Sequence, residues 1–161
     1  MKRLAPTLAL AVALVVGLSV PAANAAPDNP LQERIDAVLK AFPGGTQVGD
    51  DSVSWQKGDI LLTLEGGSSS SARSIGTCLT GTYCAWSGLS YTGSKLTFAA
   101  CSAGGISNSL APLATNARSL ANARSSGTVK ARNGSTVVYV LAASTGVPSN
   151  SATLTNMICF T

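Results

Sequence analysis

Residues 78–93 have the sequence Cys-Leu-Thr-Gly-Thr-Tyr-Cys-Ala-Trp-Ser-Gly-Leu-Ser-Tyr-Thr-Gly. Two cysteines, Cys78 and Cys84, flank a short turn at Thr80-Gly81-Thr82, and the run Tyr83 to Ser87 that follows is typical of a β-strand. A turn this short allows the two cysteines to bond to each other. The stretch therefore predicts a disulfide-framed turn that leads directly into a strand.

Cys101 and Cys159 are the other two cysteines of the chain. Four cysteines in a small exported chain predict two disulfides, and three pairings are possible. Sequence position favours Cys78 with Cys84, which leaves Cys101 to fasten the C-terminal tail through Cys159. The four cysteines could instead bind zinc. Zinc sites have closely spaced Cys or His pairs, whereas these cysteines lie far apart in the sequence and the chain has no histidine, so we expect no metal.

The first 25 residues have the three parts of a secretory signal. Lys2 and Arg3 precede an apolar run from Leu8 to Val20, and Ala23-Asn24-Ala25 forms the small-residue end after which cleavage is expected. The alternative is a membrane anchor, but the run is shorter than the roughly 20 residues that a helix needs to cross a bilayer. We therefore expect a secreted, extracellular protein without a membrane span.

Charge is divided unevenly along the chain. All seven acidic residues lie at or before Glu65, whereas the six charged residues after position 66 are all basic: Arg73, Lys95, Arg118, Arg124, Lys130 and Arg132. Such a cationic surface could attract anionic polymers of a cell envelope or an acidic protein, although scattered charges can also serve only solubility. The charges do not form the dense cluster that nucleic-acid binding requires, so we expect no nucleic-acid partner.

Residues 26–66 predict a helix followed by short strands. Asp28-Asn29-Pro30 can cap and open a helix, and Pro43-Gly44-Gly45 ends it. The apolar positions recur at helical spacing: Leu31, Ile35, Val38, Leu39 and Phe42. Strand-like runs follow at Thr46 to Val48, Val53 to Gln56 and Ile60 to Leu64. Asp50-Asp51 could bind a cation, but the pair is more typical of a turn.

Residues 67–74 continue a Gly/Ser-rich stretch and predict a linker or long loop. Residues 75–161 alternate short strand-like runs with turn residues, which favours a sandwich or barrel. The strand candidates are Tyr83 to Ser87, Lys95 to Ala100, Ser119 to Ala123, Thr128 to Arg132 and Thr136 to Leu141. Asn133-Gly134 between two of these runs is a strong hairpin signal. Leu110 to Ala123 is rich in alanine, but Pro112 weakens a helical prediction.

Several of these features together resemble the βγ-crystallin-like peptidase inhibitors secreted by actinobacteria, whose type member inhibits metalloproteinases. The resemblance lies in Cys78, Gly81, Cys84 and Trp86, and in Tyr91-Thr92-Gly93. It implies a mainly β fold, a βγ-crystallin-like Greek-key sandwich with two disulfides over 75–161, preceded by a short helix and strand pair. In such a hairpin the two aromatics pack together, while the glycine takes a backbone conformation that other residues resist.

Arg118-Ser119-Leu120-Ala121-Asn122 is similar to the family's later Arg-Ser-apolar-x-Asn segment. The resemblance therefore implies scaffold roles for Arg118, Ser119 and Asn122, but it does not indicate which residues touch a peptidase. Calcium-binding crystallins have oxygen ligands near this position. Here Ala123 and Arg124 interrupt that pattern, and no carboxylate follows Glu65, so calcium is not expected.

The sequence favours a binding protein over an enzyme. It has no histidine, and no base stands beside a nucleophile in a recognisable motif. Ser94-Lys95 suggests a Ser-Lys pair only weakly, because a surface lysine beside a turn is the commoner arrangement. We expect no catalytic residue, no cofactor and an extracellular protease as the partner. The loop Ser102 to Pro112 is a candidate contact surface, or an inert connector. The alternative function is a cell-envelope or spore-surface structural protein with a cationic face.

Overall fold

The computed structural model of the protein describes residues 29–66 and 75–161. Within these ranges the chain forms one α-helix and eleven strands in two antiparallel sheets, so the prediction of a mainly β fold is confirmed. The predicted signal at 1–25 and the predicted connection at 67–74 lie outside the described residues. The Greek-key arrangement of a crystallin stays a prediction.

The helix α1 is Pro30–Ala41. Across the larger sheet the strands are, in spatial order, β1 (Thr46–Gly49), β2 (Ser52–Trp55), β3 (Ile60–Thr63), β5 (Lys95–Phe98), β4 (Tyr83–Trp86), β7 (Ser119–Asn122) and β10 (Thr145–Val147). Across the smaller sheet they are β6 (Ile106–Ser109), β11 (Asn156–Phe160), β8 (Thr128–Asn133) and β9 (Thr136–Leu141). Short 3-10 turns occupy Gln56–Gly58, Leu89–Tyr91 and Ala111–Leu113.

Helix α1 begins and ends where its sequence predicts. The Asn29 side chain accepts a hydrogen bond from the Leu31 amide at 3.1 Å, which satisfies one of the amides that a helix start leaves unpaired. Pro30 stands at the first helical position, where a missing N–H costs nothing. The helix buries Ile35 and Val38 in the core. The apolar residues that recur at helical spacing therefore form the face of α1 that packs against the sheets.

Among the described residues no helix is long and apolar enough to cross a membrane.

The segment before residue 67 is part of the same sheet as the later strands. Strand β3 pairs with β5, with Ile60 opposite Phe98 and Thr63 opposite Lys95. The expected strand pair is three strands, since β1, β2 and β3 pair in succession. Side chains from the helix and from both sheets share one apolar cluster, which includes Ile35, Leu62, Leu96, Leu120, Val129 and Met157.

Strand β4 is buried on both faces. Tyr83 and Ala85 belong to the main cluster, whereas Cys84 and Trp86 pack on the opposite face of the sheet with Cys78, Ala121 and Ala123. Successive side chains of a strand point to opposite faces, so one strand links two apolar layers. The smaller layer lies beneath Ile75 and Tyr91.

Two stretches differ from their predictions in the sequence. The expected loop Ser102 to Pro112 contains strand β6, which pairs with β11, and part of a 3-10 turn. The Asn-Gly hairpin is present one residue later than predicted, because Asn133 pairs with Thr136 and the two-residue loop is Gly134-Ser135. Gly134 has φ +57°, which suits a glycine at the first loop position.

A buried polar contact joins the two sheets. The Asn108 amide on β6 donates to the Tyr83 hydroxyl on β4 at 2.6 Å, and that hydroxyl donates to the Ala100 carbonyl at 3.3 Å. Tyr83 is fully buried. Burial raises the pKa of Tyr83 to about 12, even though the Asn108 hydrogen bond acts in the opposite direction. The folded protein therefore disfavours the phenolate.

We expect stability to fall as the pH rises from about 10 to about 12. Below pH 10 the phenol is neutral in both states, and above it only the unfolded chain ionises freely, so roughly 3 kcal/mol is lost across this window. Urea unfolding at several pH values measures the step. Tyr83→Phe should remove it and Tyr139→Phe should keep it. An equal step in Tyr83→Phe would assign the alkaline loss to other groups.

Candidate functional site

Two disulfides frame one end of the molecule. Cys78 bonds to Cys84 and Cys101 bonds to Cys159, so the two predicted disulfides are confirmed and have the pairing that sequence position favours. The first closes a loop of five residues between its cysteines. The second joins the segment after β5 to β11, and so ties the larger sheet to the smaller one.

Arg124 joins the two loops that these disulfides anchor. Its Nη1 donates to the Gly81 carbonyl at 2.9 Å and to the Ala99 carbonyl at 3.0 Å. We call the two segments Leu79–Thr82 and Ala99–Gly105 the paired loops. Gly81 has φ +88°, and its amide donates to the Ala123 carbonyl at 3.1 Å. Charge-assisted hydrogen bonds from one guanidinium therefore hold both loops in a fixed relation.

The paired loops present a small, mostly uncharged surface to solvent. Leu79 is 44% exposed although it is apolar, and it lies inside the first disulfide ring. In the second loop Ala103 and Gly104 are exposed, and the Gly105 amide donates to the Ser102 carbonyl at 3.0 Å. The candidate contact loop is thus exposed at this tight turn, and it is exposed again at Ser107, Ser109 and Ala111.

The aromatic stretch after β4 folds back over the sheet. The rings of Trp86 and Tyr91 meet edge to face with centroids 5.1 Å apart. Gly93 has φ +82°, and a Cβ there would lie 2.4 Å from the Ser87 hydroxyl and 3.0 Å from the Gly88 amide nitrogen. Only glycine fits this position without strain or displacement. The hairpin end lies at the opposite end of β4 from Leu79.

The Arg118–Asn122 segment supports this hairpin from below. The Ser119 hydroxyl accepts from the Tyr91 amide at 2.9 Å and donates to the Gly88 carbonyl at 2.7 Å. The Asn122 amide donates to the Leu141 carbonyl at 3.2 Å, across to the smaller sheet. Ser119 and Asn122 are buried, whereas Arg118 is exposed. The side chains of Ser119 and Asn122 therefore stabilise the fold from the interior.

Asp50 and Asp51 occupy the turn between β1 and β2, as the turn interpretation predicts. The Ser52 hydroxyl donates to the Asp51 carboxylate at 2.5 Å. Over residues 29–66 and 75–161 no group of three or more His, Cys, Asp or Glu side chains could hold a metal ion. At the paired loops the cationic group that donates to carbonyl oxygens is the guanidinium of Arg124.

Ser94 and Lys95 make hydrogen bonds to different partners. The Ser94 hydroxyl accepts from the Glu65 amide at 3.0 Å, while Lys95 Nζ donates to the Thr77 carbonyl at 2.9 Å. The expectation of a surface lysine is wrong, because Lys95 is half-buried. Desolvation lowers its pKa, and the nearby Asp51 carboxylate acts in the opposite direction. The hydrogen bond from Lys95 on β5 therefore holds the segment around Thr77 against the larger sheet.

Arg124 is the functional candidate that the sequence did not reveal as such. Its position within Asn122-Ala123-Arg124-Ser125-Ser126 argued only against calcium, and nothing in the sequence placed it against Gly81 and Ala99. These partners are 43 and 25 residues away along the chain. A contact between such distant positions becomes visible only after the strands have paired.

A comparison with protein-family models matches residues 71–131 to Peptidase inhibitor family I36. The match contains the first disulfide ring, the Trp86 to Gly93 hairpin, the Arg118–Asn122 segment and Arg124. The N-terminal helix and strands β1 to β3 lie outside it. No curated protein and no solved structure matches the chain.

Proposed function

We propose that the protein is a secreted, non-enzymatic inhibitor of an extracellular peptidase, because residues 71–131 match the model of Peptidase inhibitor family I36. We propose the metallopeptidase class as its target, on the resemblance to inhibitors of metalloproteinases. The family match is the observation that supports the proposed function, and the paired loops are the surface that could contact the peptidase. The inhibitor acts by occupying the peptidase, so it needs no catalytic group and no cofactor of its own.

The paired loops are the proposed contact surface. The two disulfides and the Arg124 guanidinium fix the shape of the paired loops before a peptidase binds. A surface that is ordered in advance avoids the entropy cost of ordering loops on association. Leu79 supplies an exposed apolar side chain that a peptidase subsite could bury. Rigidity and one apolar anchor together suit a compact inhibitor.

Secretion is part of the same proposal. Residues 1–25 have the composition of a cleavable signal, and two disulfides with the inhibitor family are consistent with an extracellular, oxidising location. Amino-terminal sequencing of the protein recovered from culture medium tests it. A mature chain that begins at Ala26 supports the proposal, whereas intact Met1 on cell-associated protein contradicts it.

Inhibition assays test the proposed activity. The oxidised protein from residue 26 is titrated against purified secreted metallopeptidases and serine peptidases, with a reduced and alkylated sample as the control. We expect tight inhibition of a metallopeptidase that is lost on reduction, because the loops owe their shape to the disulfides. Tight inhibition of serine peptidases alone would overturn the target class. A flat panel would overturn the function.

Arg124→Ala is expected to lower the free energy of unfolding by about 1–3 kcal/mol and to weaken inhibition roughly tenfold. The variant leaves the Gly81 and Ala99 carbonyls without their shared donor. Chemical denaturation and inhibition constants measure the two effects. Arg118→Ala is the charge-matched control for stability, because Arg118 is exposed. If inhibition fails only in Arg118→Ala, the contact surface is at the hairpin end instead.

A second candidate function is retention at an anionic cell envelope. None of the four strands of the smaller sheet contains an acidic residue, and Lys130 and Arg132 share one face of β8. Lys130 Nζ lies 4.8 Å from the centre of the Phe160 ring, so this face combines cations with an apolar surface. Binding to isolated envelopes that weakens steeply with added salt would favour this function. Binding that ignores salt would exclude it.

A further inference from the structure

A groove of about 630 Å³ runs between the free edge of the smaller sheet and the N-terminal segment. Ser107 and Ser109 of β6 line one side, and Phe42, Trp55 and Ile60 line the other. This volume is within the range of clefts that bind ligands. The second wall lies outside residues 71–131, whereas the β6 wall lies within them. The groove shares no lining residue with the paired loops.

The β6 side of the groove is an open strand edge. Strand β6 pairs only with β11 in its sheet, and the register places Ser109 opposite Asn156. The Leu110 amide donates to the Thr155 carbonyl at 2.9 Å, one step beyond that pair. Antiparallel ladders alternate bonded and non-bonded pairs, so the N–H and C=O groups of Ser107 and Ser109 point away from β11.

Those four backbone groups have no hydrogen-bond partner within residues 29–66 and 75–161. Backbone donors and acceptors are strong hydrogen-bonding groups, and two outward residues on one edge present them at the spacing of a strand. The edge is therefore able to accept a further antiparallel or parallel strand. Proline, charge and a covering segment usually block such edges, and Ile106–Ser109 contains neither proline nor charge.

The opposite wall is apolar and fixed. Phe42, Trp55 and Ile60 are half-buried against the main core, and the Trp55 indole N–H donates to the Phe42 carbonyl at 3.0 Å. These side chains remain partly open to the groove. A strand added to β6 would direct alternate side chains towards this wall, where apolar groups would be favoured.

The charges at the groove specify the partner further. None of its lining residues is charged. Lys40 and Lys57 are exposed and directly adjoin the lining residues Ala41 and Gln56, whereas Asp59 adjoins Ile60. The exposed sequence neighbours of the lining residues therefore carry two positive charges and one negative charge, which gives the groove a flank of net charge +1. It complements a segment that is uncharged at its centre and acidic at its flanks.

We propose that this groove binds an extended segment of another protein as an added strand on β6. The segment has apolar side chains at alternate positions, which face Trp55 and Phe42. It has acidic residues beside the uncharged part, which complement the exposed Lys40 and Lys57 that adjoin the lining in sequence. The site extends the molecule's function beyond peptidase inhibition, since it uses a separate surface. A protein partner can be held there while the paired loops stay free.

Selection of random twelve-residue peptides on the oxidised protein from residue 26 tests the proposal. The peptides are displayed on phage and counter-selected on the variant Ser107→Pro/Ser109→Pro, which removes two groove-facing amides and leaves the bonds to β11 intact. We expect enrichment of β-branched or aromatic residues at alternate positions with acidic flanks. In nuclear magnetic resonance spectra the best peptide should shift the Ser107 and Ser109 amides and the Trp55 indole.

A backbone-modified peptide keeps the test independent of the folding of the variant. N-methylation of the same peptide at the alternate amides that face β6 should weaken binding at least about tenfold, while methylation at the intervening amides should not. Equal binding of both methylated forms would overturn strand addition. So would selected peptides whose shifts map to the paired loops, or a selection in which no peptide prefers the unmodified edge.

Discussion

Replacing Cys101 and Cys159 by alanine is expected to lower the free energy of unfolding by about 4 kcal/mol. The bond closes a loop of sequence separation 58, and on the chain-entropy model the gain from a cross-link grows with the loop that it closes. It is also the covalent tie between the two sheets. Since small domains are stable by only about 5–15 kcal/mol, this loss removes a large share of the total.

The matched control is Cys78→Ala/Cys84→Ala. That bond has a sequence separation of 6, so the same model assigns it roughly 2 kcal/mol. Urea denaturation of both double variants and of the oxidised parent gives the comparison. If the two losses are equal, or if the short-loop variant loses more, the folded contacts around the cysteines outweigh the constraint on the unfolded chain, and the entropic ordering is wrong.

Trp86→Ala is expected to destabilise the protein by about 3–5 kcal/mol. The side chain is 1% exposed and fills the smaller apolar layer with Ala121 and Ala123. The substitution removes the edge-to-face partner of Tyr91 and the indole that donates to the Thr77 hydroxyl at 3.4 Å. Because the first disulfide lies in the same layer, the cavity would not collapse freely. Thermal and urea unfolding measure the loss.

Trp86→Phe separates ring packing from cavity formation. It keeps an aromatic face for Tyr91 and should cost about half as much as the alanine variant or less. Tyr91→Ala is the companion change, and it should cost less than Trp86→Ala because Tyr91 is only half-buried. A Trp86→Ala variant that unfolds like the parent would show that this layer contributes nothing to stability. The hairpin would then be held by its hydrogen bonds, among them those to Ser119 and the one from the Ser90 amide to the Pro148 carbonyl.

Local signals in the sequence predicted the elements whose residues are themselves distinctive. Asn29 and Pro30 mark the helix start, and Gly134 marks the hairpin that joins β8 to β9. The cysteines predicted the disulfides because four cysteines behind a predicted export signal have few other uses. In each case a residue type with a strong conformational or chemical preference stands at the position that needs it.

Strands β6 and β10 have no such signal. Ile106–Ser109 consists mainly of small polar residues, and Thr145–Val147 contains a glycine, so neither has strong strand propensity. Both are strands because β11 and β7 provide partners that lie far away in the chain. The role of Arg124 and the groove beside β6 were hidden for the same reason, since each depends on segments that meet only in the folded protein.

The position of β11 between β6 and β8 has a consequence for biosynthesis. Both neighbours are made before it, and they have no strand between them until residues 156–160 have emerged from the ribosome. Ile106 and Asn108 must wait for partners about fifty residues downstream, so closure of the smaller sheet is a non-local and late step. The smaller sheet therefore stays incomplete until residues 156–160 are available, and the Cys101–Cys159 bond forms only where an oxidant is present.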